Sequence, residues 1–103
     1  MATYDLTPVK VKKIETKYRS IRTMLPVPES LPIFEELKKS EPRSMSGQPP
    51  IIWHKAEMAS VSDKWGNRWI DWSSGVLITN AGHGRSEICD KLKEIIDQGL
   101  LAN

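Results

Sequence analysis

Ser60-Val61-Ser62-Asp63-Lys64-Trp65-Gly66-Asn67-Arg68-Trp69-Ile70-Asp71-Trp72 reads as a β-hairpin. Arg68–Trp72 is the stronger of its two strands, rich in the aromatic and β-branched residues that suit a pleated surface. Ala59–Asp63 is the weaker one. Between them lies Lys64-Trp65-Gly66-Asn67, where Gly66 can take a positive φ without steric cost, as a tight hairpin requires. Upstream, Ile51-Ile52-Trp53-His54-Lys55-Ala56-Glu57 alternates imperfectly and supplies a third strand. The expected architecture is α+β: a helical N-terminal arm, a small three-stranded antiparallel sheet, and a following helix.

Downstream of the hairpin, Ser73-Ser74-Gly75-Val76-Leu77-Ile78-Thr79 begins with small residues. Asn80-Ala81-Gly82-His83-Gly84 is then a glycine-punctuated loop. Ser86 is expected to cap a helix in which Ile88, Leu92, Ile95, Ile96 and Leu100 recur at helical spacing. Gly99 is its stop signal. Upstream, Glu41–Pro50 has the composition of a linker, and it divides the chain into residues 1–49 and 50–103. Before the linker, Ser30 and Pro32 open a short helix carrying Leu31, Phe34 and Leu37, with Lys38 and Lys39 in its last turn. Earlier still, Tyr18, Ile21 and Leu25 are spaced for a helix over Glu15–Met24, ended by Pro26. Residues 1–15 read as a poorly ordered arm.

The chain has 103 residues, which allows one small domain. Its net charge of +2 is too mild to imply nucleic acid. Lys10, Lys12, Lys13, Lys17, Arg19 and Arg22 nevertheless crowd together, as a solvated face or as a contact for an anionic surface. With Cys89 as the single cysteine, no internal disulfide can form, and its place in an apolar run predicts a buried, inert thiol. No apolar run approaches the ~18 residues of a membrane span. The N-terminus lacks the apolar core of a secretory signal. A cytoplasmic setting is expected.

Chemistry has few footholds. Gly84-Arg85-Ser86 lacks the lysine and spacing of a phosphate-binding loop, and no GxGxxG follows a strand. His83 is expected to fix the glycine loop by bonding neighbouring backbone rather than to act as a catalyst. His54 and His83 do not form a metal cluster. Asp63 and Asp71 are expected to serve turns. Trp53, Trp65, Trp69 and Trp72 are spaced for packing in a core or a subunit interface.

Taken in order, Pro50-Ile51-Ile52-Trp53 through Glu57, Val61-Ser62-Asp63, Gly66-Asn67-Arg68-Trp69-Ile70-Asp71, Ser74-Gly75 and Asn80-Ala81-Gly82-His83 resemble class III aminotransferases. These are the pyridoxal-phosphate enzymes of the 4-aminobutyrate, ornithine and acetylornithine aminotransferase group. The resemblance covers about Pro50 to Leu100. Arg85-Ser86 stands where the family has His-Pro. The resemblance implies the N-terminal segment of a fold-type I transferase that is a homodimer acting on small amines and 2-oxo acids. It also implies that Ser74, Gly75 and Val76 line the substrate pocket. It assigns no catalytic, cofactor-binding or metal-binding residue here. The Schiff-base lysine, the acidic partner of the pyridine nitrogen and the phosphate cup lie beyond position 103 in that family. The chain alone is therefore expected neither to bind pyridoxal 5'-phosphate nor to transaminate. An alternative is a non-catalytic truncated module that keeps the hairpin and helix for dimer or subunit contacts. A third reading, a basic nucleic-acid binder acting through Lys10–Arg22, predicts salt-sensitive binding.

Overall fold

A computed structural model describes residues 4–42 and 47–100. The middle of the expected linker, Arg43 to Ser46, lies outside the described residues, as do the first three residues of the expected arm.

The sheet has five strands, not three. β1 (Ile14–Glu15), β2 (Ser20–Ile21), β3 (Lys55–Glu57), β4 (Ser60–Ser62) and β5 (Arg68–Ile70) are arranged in the order β1-β2-β5-β4-β3. Every pairing is antiparallel, with Val61 opposite Trp69, Ala56 opposite Val61, and Ser20 opposite Arg68. The expected hairpin is β4–β5. Its turn is set by Asp63, whose carboxylate accepts from the Trp65 N–H (2.8 Å) and the Asn67 N–H (2.9 Å), while Gly66 takes φ +91°. This is the turn role expected of Asp63. The third strand starts later than its apolar residues suggest, at Lys55; upstream, the Ile51 N–H turns back onto the Pro49 carbonyl at 2.7 Å.

The helix expected over Glu15–Met24 is instead the β1–β2 hairpin. Thr16 takes over the local hydrogen bonding: its hydroxyl donates to the Arg19 carbonyl and accepts from the Arg19 N–H, both at 2.9 Å. A side chain that satisfies nearby backbone in this way competes with helix formation. The supposed common face also dissolves, since Ile21 is buried and Tyr18 is exposed. Residues expected to form a loose arm are tied down as well. Val9 bridges Leu25, and Ile14 pairs with Ile21. Arg68 reaches across the sheet to the carbonyls of Thr16 (3.4 Å) and Lys17 (2.5 Å).

The helices α1 (Leu31–Ser40) and α3 (Ser86–Asp97) lie where the sequence places them. Their starts differ in detail. Ser30 occupies the N-cap of α1, but its hydroxyl donates back to the Val27 carbonyl at 2.6 Å instead of capping. Arg85, not Ser86, is the N-cap of α3, and no side chain caps it. Cys89 is half-buried rather than buried. None of the helices is long and apolar enough to cross a membrane, among the described residues.

The core is small: Ile21, Val27 and Val61 are the buried hydrophobic residues among those described. The tryptophans do not all pack, since Trp72 is 89% exposed and Trp53 is exposed too. Among the described residues, α3 touches no other helix or strand, and Ile88, Leu92 and Ile96 along it stay open. The accessible surface is 8249 Å², against about 5,900 Å² for a closed globular protein of this mass. The radius of gyration, 16.4 Å, likewise exceeds the roughly 13 Å of a compact domain this long. The sheet is well formed, while the downstream apolar surface is left uncovered.

Candidate functional site

The last strand ends at Ile70, and Asp71 follows with its N–H bonded to the Ala59 carbonyl at 2.8 Å. This leaves the Asp71 side chain, 4% exposed, pointing into the loop that comes next. One oxygen accepts from the Ser73 N–H (2.9 Å) and the Ser73 hydroxyl (2.6 Å). The other accepts from the Gly75 N–H (2.8 Å) and from Nε2 of His83 (2.7 Å). The expected turn role of Asp71 is thus accompanied by a partner that the sequence reading did not foresee.

His83 is also fixed more firmly than by neighbouring backbone. Its own N–H and carbonyl pair with Met58, both at 2.8 Å, and its ring stands edge-on to Trp53 with centroids 5.5 Å apart. The ring bonds the Asp71 carboxylate rather than backbone. An ionised carboxylate only accepts, so Nε2 carries the proton, and the neutral ring keeps its lone pair on Nδ1. The Ser73 hydroxyl and the His83 ring, joined by two backbone N–H groups, hold the Asp71 carboxyl well below the usual carboxylate range.

That sign fixes a pH dependence. The unfolded Asp71 titrates near its ordinary value of 3.8, and the folded one lower. The contribution to stability is therefore complete above that ordinary value and is lost as pH falls through the folded one. In an acid titration followed by circular dichroism, Asp71→Asn is expected to flatten this part of the stability profile. An unchanged acid limb would contradict the assignment.

The segment after Asp71 is α2 (Ser74–Leu77), a single helical turn wound left-handed. Its four residues have φ of +51°, +59°, +63° and +67°. Only Gly75 adopts this conformation cheaply. Each L-residue costs roughly 1–2 kcal/mol there, and a β-branched valine is an outlier. The turn throws Val76, Leu77 and Ile78 into solvent, each more than three-quarters exposed. Val76→Gly is accordingly expected to stabilise the chain by about 0.5–1 kcal/mol, because relief of strain exceeds the added freedom of the unfolded glycine. Thermal melts test this by sign: a lower Tm would mean that Val76 is not strained.

A cleft of about 270 Å³ opens beside this turn, lined by Met58, Asp71, Ser74, Thr79, Asn80 and His83 among others. Of the three residues expected to line a pocket, Ser74 borders this cleft. Gly75 is half-buried against the ring of His83, and Val76 projects away into solvent. The Thr79 hydroxyl is buried with no partner among the described residues. No group of three or more His, Cys, Asp or Glu side chains that could hold a metal occurs among them. The pairing of Asp71 with His83 has one local cue, the Asp-x-Ser spacing at 71–73 that favours an Asx turn. The histidine, twelve residues on, has none.

No family model matches the chain. Two aminotransferases do. The uncharacterized aminotransferase YodT of Bacillus subtilis is 36% identical over 58 residues, 56% of this chain and 13% of its own length. The 4-aminobutyrate aminotransferase of Mycobacterium leprae is 29% identical over 75 residues, 73% of this chain and 17% of its own length. They support a relation to aminotransferases. A third match, the replication protein E1 of human papillomavirus 29, is 30% identical over 104 residues. It covers 90% of this chain and 14% of its own length. That alignment has more positions than the chain residues it covers, so gaps interrupt this chain in it, whereas each aminotransferase alignment is about as long as the stretch of this chain it covers. This chain spans less than a fifth of each relative it matches.

Proposed function

We propose that this chain is the N-terminal segment of a class III, fold-type I, pyridoxal-phosphate-dependent transaminase, a cytoplasmic homodimer in its complete form. The complete enzyme would move an amino group from a 4-aminobutyrate-like amine to a 2-oxo acid. The chain's part is to build one rim of the substrate pocket from Ser74, Gly75 and Val76. The observation that carries this reading is the left-handed turn at these residues, strained and held from beneath by a buried carboxylate. Strain of this kind persists where the surroundings over-determine it, and it clusters at ligand sites.

The chain's own residues do not fit the cofactor. All ten lysines are exposed, and none lines the cleft beside Asp71. Among the described residues, that cleft offers no arginine or lysine to a phosphate group. When bound elsewhere in the complete enzyme, the cofactor would supply the electron sink for transamination. What this chain contributes is shape: Val76 presents an apolar contact, and the 73–75 backbone is fixed by Asp71.

The uncovered stripe of α3 favours the second reading, a non-catalytic module for dimer or subunit contacts. A chimera separates the two. In the Mycobacterium leprae relative, the matching 75-residue segment is exchanged for that of this chain. Turnover of 4-aminobutyrate with a 2-oxo acid is expected to persist, and Val76→Trp in the chimera is expected to raise KM more than it lowers kcat. A chimera that folds and binds pyridoxal phosphate yet turns over nothing would leave the contact module.

A further inference from the structure

We propose that Asp71 and His83 are positioning residues, a side-chain clamp that selects the left-handed form of Ser74–Leu77 and thereby sets where Val76 stands. The inference rests on the reading of Ser74–Val76 as a pocket rim. Three observations lead to it.

First, the turn's own hydrogen bonds do not choose its hand. The Leu77 N–H bonds the Ser73 carbonyl (2.8 Å) and the Ile78 N–H bonds the Ser74 carbonyl (3.0 Å). A right-handed turn makes both pairs without strain at Ser74, Val76 and Leu77, and only the Thr79 N–H, bonded to the same Ser74 carbonyl at 2.8 Å, lies outside this pattern. Something outside the turn must favour the strained hand. Second, the outside contact converges on one carboxylate. Asp71 receives the Ser73 and Gly75 N–H groups together, which fixes the entry of the turn. The His83 ring closes the same oxygen that holds Gly75. It also lies against Gly75, where an added Cβ would sit 3.6 Å from its Cε1. Third, both ends of the clamp are anchored to the sheet side independently of the turn. Asp71 is held by Ala59, and His83 is held twice by Met58. The pair can therefore transmit a fixed position to the rim instead of following it.

The test uses the isotopically labelled 103-residue chain in solution. A positive φ brings a residue's own amide and α protons close, so Ser74, Val76 and Leu77 are expected to show strong intraresidue NOEs. His83→Leu is expected to weaken these several-fold at Val76 and Leu77 while the cross-strand NOEs between Val61 and Trp69 persist. His83→Gln, whose amide can still donate to Asp71, is expected to restore them. A merely space-filling role would give the opposite ranking. Should His83→Leu lose the sheet, Asp71→Asn supplies the reading, because its amide group can accept only at one oxygen. A turn that stays left-handed in both His83→Leu and Asp71→Asn would overturn the clamp, as would failure of His83→Gln to restore the NOEs. These outcomes do not depend on activity. A folded, cofactor-bound chimera without turnover counts against the transaminase reading, whereas the NOE pattern counts for or against the clamp.

Discussion

Asn67→Ala is expected to cost about 3–4 kcal/mol, the sum of several lost bonds and the orphaned groups left behind. Asn67 is fully buried. Its side-chain oxygen accepts from the N–H groups of Arg22 (2.8 Å) and Thr23 (3.3 Å). Its amide nitrogen donates to the Thr23 hydroxyl (2.7 Å) and to the second oxygen of Asp63 (2.7 Å). One side chain thus joins the β1–β2 hairpin to the β4–β5 turn, across more than forty residues of chain. Alanine strands the backbone donors and a carboxylate that is itself buried. Urea denaturation checks the size, read as a fall in the midpoint at constant slope. Asn67→Asp alone is expected to be as damaging, since it opposes two carboxylates at hydrogen-bond distance. The double variant Asp63→Asn/Asn67→Asp exchanges donor and acceptor and is expected to recover part of the loss. A single variant that unfolds like the parent would show that the junction does not hold the two hairpins together.

This junction also explains what could and could not be read in advance. The β4–β5 hairpin declares itself locally, through Gly66 and the aromatic run Arg68–Trp72. So do α1, through Pro32 with Leu31, Phe34 and Leu37, and α3, through its Ile and Leu spacing up to Gly99, which takes φ +68°. The β1–β2 hairpin does not. Its strands are two residues long, and its stability comes from Arg68 and Asn67, distant in sequence. No periodicity over residues 14–21 can encode a partner that arrives some fifty positions later. The site divides in the same way. The small-residue turn after Asp71 is visible from Ser73-Ser74-Gly75, and the proposal that Ser74, Gly75 and Val76 line a pocket comes from the family resemblance. The left-handed winding is not visible, because Val76 and Leu77 argue against it by intrinsic preference. The proposed clamp accounts for it through the convergence of Ser73, Gly75 and His83 on Asp71, and of these contacts only that of His83, twelve residues on, is non-local.

Gly82→Ala is expected to destabilise by about 2–3 kcal/mol, combining a strained φ with a backbone collision. Gly82 has φ +93°, and an added Cβ would sit 3.2 Å from the Met58 Cα. Met58 cannot easily retreat. It already holds φ +50°, and both its N–H and its carbonyl are bonded to His83. The collision therefore falls on the bridge that anchors the histidine. Amide exchange at Met58 and His83 is expected to accelerate together, while exchange at Val61 is expected to change only with global stability. Gly99→Ala separates the two causes. Gly99 also has a positive φ, +68°, but nothing lies within 4 Å of its added Cβ. It should show the conformational cost alone, about 1–2 kcal/mol. If the two substitutions cost the same and the Met58 amide stays protected in Gly82→Ala, the contact between the glycine loop and the β3–β4 turn is slack, and His83 would need another anchor to hold Asp71 and the turn beyond it.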